Sequence, residues 1–133
     1  DTASAFKLRE MLLIHEFTHT HLRSMEEEPY LHTINNKEPK NQEYLNDFSK
    51  VGYNTWDSIV NEYFVRSITA RILFLEDEKE EYKRALNNDK KSGFTHIESL
   101  IEKLKEYENN RDKYKQIEDF YPELLNILVK QYN

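Results

Sequence analysis

Two histidines four residues apart, with a glutamate directly after the first, carry the clearest chemistry in this 133-residue chain: His15-Glu16-Phe17-Thr18-His19. On an α-helix, positions i and i+4 lie one above the other on the same face, so both imidazoles can coordinate a single zinc ion. Glu16 then falls on the rim of that face, where its carboxylate is placed to take a proton from water rather than to ligate the metal. Zinc lowers the pKa of a coordinated water to about 7, which makes hydroxide available at neutral pH. The chemistry open to such a group is hydrolysis of a polarised carbonyl, a peptide bond included.

A catalytic zinc takes three protein ligands and keeps one position open. The chain has no cysteine, so every donor must be His, Asp or Glu. After His19 come Thr20-His21-Leu22-Arg23-Ser24-Met25, without the glycine and spacing that would bring a third histidine from the same segment. A carboxylate on another helix is what remains, and Glu62 lies 43 residues beyond His19 in Asn61-Glu62-Tyr63-Phe64-Val65-Arg66. An acid inside an apolar helix calls for a partner. Zinc is one; Arg66, one turn on, is another, as an ion pair. The two can hold together, with Arg66 orienting Glu62 or facing a cleft to bind a substrate carbonyl or carboxylate. His21 and His32 are competing ligands in type, but His21 points away from the His15/His19 stripe and His32 falls in an irregular stretch. Tyr53, Tyr63, His96 and Arg66 are of the right type to stabilise an oxyanion, and none is singled out.

These residues need helices to hold them. Only two Gly and three Pro punctuate the chain and its patterned stretches have a helical period, so the expected class is mainly α, a helical bundle in one domain over residues 1–133. The histidine helix is expected over residues 3–23, with Leu8, Met11, Leu12, His15, His19 and Leu22 on one stripe and Phe6, Leu13 and Phe17 opposite. Residues 24–41 read as a long irregular connection, broken by Pro29 and Pro39. A short helix over 43–50 follows, then a long one over 55–85, capped by Asn54, with a charged second half taken as a solvated extension. Residues 87–93 read as a polar break. Thr95-His96-Ile97-Glu98 has the form of a capping box opening the next helix, and a last helix begins near Pro122.

Composition narrows the partners. A net charge of −6 and a pI near 5.4, with Lys and Arg interleaved among acids, argue against a nucleic-acid partner. No apolar run approaches the roughly 18 residues of a membrane span. The first residues, Asp1-Thr2-Ala3-Ser4, carry neither a starting Met nor a signal peptide, so the chain is expected to be an excised or processed piece of a longer protein.

Four runs, HEFTH, VNEYFVRSI, GFTHIESL and DFYPELL, together resemble the bacterial zinc metallopeptidases of gluzincin type grouped as domain of unknown function 4932, over nearly the whole chain. The resemblance implies a peptidase acting on peptide or protein substrates, with Zn2+ on His15, His19 and Glu62 and with Glu16 as the base. It also implies a larger, exported parent, outside the cytoplasm. In the best-known gluzincins an Asp follows the ligand Glu by four residues, whereas that position here is Arg66. Zincins also carry a small β-sheet ahead of the histidine helix, for which the fourteen residues before His15 leave no room. The expected fold is thus the C-terminal, zinc-binding helical part of a zincin-like catalytic domain without its upstream sheet. The alternative is a catalytically inactive helical interaction module with a structural or vacant metal site.

Overall fold

In the computed structural model, which describes residues 28–133, six α-helices follow one another: α1 (Glu28–Asn36), α2 (Leu45–Ser49), α3 (Trp56–Leu75), α4 (Lys79–Lys91), α5 (Ile97–Asn109) and α6 (Tyr121–Tyr132). Single 3-10 turns, Gln42–Tyr44 and Ile117–Phe120, lead into α2 and α6. No strand occurs among the described residues, so the mainly helical expectation holds. The histidine helix expected over residues 3–23 lies outside them.

The core is organised by α3, which packs against α1, α4, α5 and α6. Trp56, Ile59, Val60, Tyr63, Phe64, Val65, Ala70 and Leu73 are all buried, so its apolar residues do not keep to one stripe. Burying a Val, Leu, Ile or Phe side chain in this way contributes about 1.5–3 kcal/mol before entropy is counted. Leu100, Ile101 and Leu104 of α5 and Leu124, Leu125 and Leu128 of α6 close over it at helical spacing. Tyr44, Phe48, Trp56, Tyr63, Phe94 and Tyr132 form an edge-to-face aromatic cluster at one end.

Several boundaries differ from the sequence reading. Part of the expected irregular stretch is α1: Pro29 stands in its first turn, where a missing N–H costs nothing. Ile34 anchors that helix, being buried and accepting a hydrogen bond from Trp56 Nε1 at 3.0 Å through its carbonyl. Only Tyr30, Leu31 and Ile34 supply an apolar pattern, which is too short to register as a period. At the start of α3 the cap is Thr55, not Asn54; its hydroxyl accepts from Ser58 N. The capping box at Thr95 does not form. His96 takes the N-cap position of α5 without a side-chain cap, and Glu98 pairs instead with Lys90 of α4.

The largest difference is that the expected long helix over 55–85 is two helices, and the expected break at 87–93 is helical as far as Lys91. A Schellman motif ends α3: Glu78 N donates to Leu73 O (3.0 Å) and Asp77 N to Phe74 O (3.1 Å), with Asp77 left-handed at φ 61°. Glycine is the usual residue for that position, so an aspartate gives no signal. The same bond pair closes α4, from Phe94 N to Asp89 O (2.9 Å) and from Gly93 N to Lys90 O (3.1 Å). It recurs after α2, from Tyr53 N to Phe48 O (3.0 Å) and from Gly52 N to Ser49 O (3.2 Å). Both glycines of the chain occupy the left-handed position of one of these turns, at φ 95° and 105°.

A non-glycine residue in the left-handed region costs on the order of 1 kcal/mol. Asp77→Gly should therefore raise stability by about 0.5–1 kcal/mol, after the extra freedom glycine brings to the unfolded chain, and Asp77→Val should lower it by about 1 kcal/mol or more. Urea denaturation midpoints of the two variants check this.

A candidate metal centre around Glu62 and Arg66

Glu62 and Arg66 stand one turn apart on α3, on the stripe that also carries the buried Thr69 and Leu73. Arg66 is the hub of the site. Its Nε donates to Glu62 Oε2 at 3.0 Å, its Nη1 to Asp89 Oδ1 at 2.6 Å and its Nη2 to Tyr53 Oη at 3.3 Å. Phe94 covers the guanidinium face, with Cζ 4.5 Å from the ring centroid, a cation–π contact. The side chains of Glu62, Arg66 and Asp89 are 13%, 23% and 8% exposed, so the three charges interact largely out of water.

Three chain segments converge here because of how the helices end. Asp89 and Phe94 are the two residues joined by the long bond of the turn that closes α4, and Tyr53 ends the corresponding turn after α2. Tyr53 also packs edge-on against Phe94, ring centroids 5.6 Å apart. Burial works against the charge on Arg66. The hydrogen bonds to Tyr53 and Asp89 and the fields of Asp89 and Glu62 outweigh it, and the pKa rises above the ordinary arginine value.

The ion-pair partner that the sequence offered for Glu62 is thus present. It occupies one oxygen of the carboxylate and fixes the side chain's direction, while all three guanidinium nitrogens of Arg66 are bound within the protein. Of the two arrangements the sequence left open to Arg66, the pairing with Glu62 is the one seen. His15, Glu16, His19 and His21 lie outside the described residues. Among those described, no three His, Asp or Glu side chains are placed to hold a metal ion. His32 is exposed on α1 and hydrogen-bonded to Asn36 one turn on.

Of the oxyanion candidates, Tyr63 belongs to the core. It is fully buried, its hydroxyl lies 2.5 Å from Tyr132 Oη and it accepts from His96 N at 3.4 Å. Burial pushes its phenol pKa up, against hydrogen bonds that lower it, and burial pushes the His96 imidazole down. The His96 ring packs edge-on against Tyr132, centroids 5.0 Å apart. Tyr53 is the candidate that joins the Glu62 site, through Arg66. An apolar cleft of about 330 Å³, lined by Ile68, Ile72, Leu75, Leu104 and Tyr121, lies on the far side of α3, away from Glu62.

Sequence reasoning missed Asp89 and Phe94. Asp89 fell in the stretch 87–93, read as a polar break; the usable signal was Gly93, four residues on, which marks a helix end and folds Asp89 inward.

The helical bundle with its buried carboxylate–guanidinium–carboxylate cluster belongs to a family known by its sequence model. Residues 4–127 match the model described as "Domain of unknown function (DUF4932)", and the chain is a member of that family. No curated protein and no solved structure matches it.

Removing the cation from between two partly buried acids should be costly. Arg66→Met is expected to lose about 2–4 kcal/mol at pH 7. Urea denaturation of wild type and variant at pH 7 checks the size.

Proposed function

We propose that this chain is the helical, zinc-binding part of an exported zinc-dependent peptide hydrolase, with His15, His19 and Glu62 as metal ligands and Glu16 as general base. The observation that carries the reading is the state of Glu62. The one acid that the sequence offers as third ligand is a mostly buried carboxylate on the central helix, held in direction by a cation that is itself fixed by three other side chains.

A zinc ion fits the donor chemistry of this residue. Aspartate and glutamate oxygens are ordinary zinc ligands, and a ligating carboxylate is commonly hydrogen-bonded from behind, as Arg66 does through Oε2. Bound there, zinc would supply Lewis acidity toward the scissile carbonyl and the attacking water. Glu16 takes the proton of the water whose oxygen bonds to the carbonyl carbon. As the carbon–nitrogen bond breaks, the same carboxylic acid returns that proton to the leaving amine. Glu62 and Arg66 hold still while this happens; neither exchanges a proton.

The test separates binding from catalysis. The zinc-loaded protein is expected to cleave a quenched-fluorescence peptide library, to stop when a chelator is added and to recover with zinc. Glu16→Gln is expected to keep its zinc and lose at least about 100-fold in kcat, the usual share of general acid–base catalysis. Unchanged kcat in Glu16→Gln, or no cleavage by the loaded wild type, would contradict the reading.

A further inference from the structure

A cation 3.0 Å from a ligating carboxylate poses a problem for metal binding. An arginine paired with Glu62 alone would cancel the charge that makes the carboxylate a good donor to a dication. Asp89 answers this. It is the most buried of the three charged side chains and accepts from Arg66 Nη1 at 2.6 Å, so the cation is shared between two carboxylates and is not spent on Glu62 alone. It also sets geometry. With Nη1 held by Asp89 and the guanidinium face against Phe94, the plane of the group is fixed, and Nε is directed at Glu62 Oε2.

We propose that Asp89 is a positioning residue for the metal ligand Glu62, acting through Arg66 to keep that carboxylate both oriented and charged. The inference rests on the reading of Glu62 as a zinc ligand. It gives α4 a part in the site that its sequence did not suggest, and it accounts for an arginine standing four residues after the ligand glutamate. Arg66 carries the support from Asp89, on another helix, to Glu62. Supporting residues of this kind change metal affinity by about 10- to 100-fold when altered.

Zinc titration of the metal-stripped protein by calorimetry tests this, with wild type, Asp89→Asn, Asp89→Glu and Glu108→Gln side by side. Asparagine keeps the size of aspartate and an oxygen that can accept from Nη1, so it removes charge with little change of shape. Glu108 is the control: it pairs with Arg71 of the same helix through two hydrogen bonds, 2.6 and 2.9 Å, on the side of the apolar cleft. Asp89→Asn is expected to weaken zinc binding at least about tenfold, Asp89→Glu to stay within about threefold of wild type, and Glu108→Gln to stay within about twofold. Urea midpoints are read alongside. A merely structural Asp89 would lower the midpoint, as is expected of Glu108→Gln, and leave zinc affinity unmoved, which overturns the proposal. Should Asp89→Asn not fold, the Arg66→Gln/Asp89→Asn pair, which strands neither of those charges, replaces it. It too is expected at least about tenfold weaker than wild type, and a value within about twofold overturns the proposal. Wild type that takes up no zinc brings down this inference together with the hydrolase reading. Wild type that binds zinc while Asp89→Asn is unaffected brings down this inference alone.

Discussion

A guanidinium that is mostly buried must be surrounded by groups that replace water, and that requirement at Arg66 constrains much of the molecule. Its nitrogens need acceptors in three directions and its face needs a ring. Glu62 comes from α3 itself, Asp89 from the end of α4, Tyr53 from the turn after α2 and Phe94 from the turn before α5. Any shift of α4 along α3 would separate Arg66 Nη1 from Asp89 Oδ1, so the register of those two helices is set electrostatically as well as by packing.

What brings these groups together is a repeated way of ending a helix. The paired backbone bonds that close α2 and α4 satisfy carbonyls that would otherwise be orphaned, and they reverse the chain so that the next residue points back at the bundle. Those next residues are Tyr53 and Phe94, two of the four groups around Arg66. The third such turn, at Asp77, separates α3 from α4 and lets α4 fold back along it. The positions of the two glycines are thus tied to the candidate site even though neither touches a charged group in it.

Much of this was legible in the sequence, and the failures have physical causes. Helical class and the start of the last helix near Pro122 follow from periodicity and from proline's place in a first turn. The pairing of Glu62 with Arg66 follows from their spacing of one turn. Asp89 was hidden because local composition cannot show which charged residue of a polar helix is folded inward; that depends on a tertiary partner 23 residues away. The break at Asp77 was hidden because an aspartate in the left-handed region looks like any other aspartate in a charged run. The capping box at Thr95 failed because Glu98 finds Lys90 on a neighbouring helix, an interaction that no local pattern contains.

The same limits bear on function. Membership of the family rests on nearly the whole chain, while the hydrolase reading rests on five residues: the HExxH pair and its glutamate, then Glu62 with the arginine that holds it. The central claim is that Glu62 is a zinc ligand and not only an acid that keeps Arg66 company. Calorimetric titration of zinc into metal-stripped wild type and Glu62→Gln separates the two. The account predicts one tightly bound zinc in the wild type and at least about tenfold weaker binding in the variant, a loss of roughly 1.4 kcal/mol or more. Equal zinc affinity in both proteins, with the variant less stable, would show Glu62 to be an ion-pair partner alone and would contradict the account.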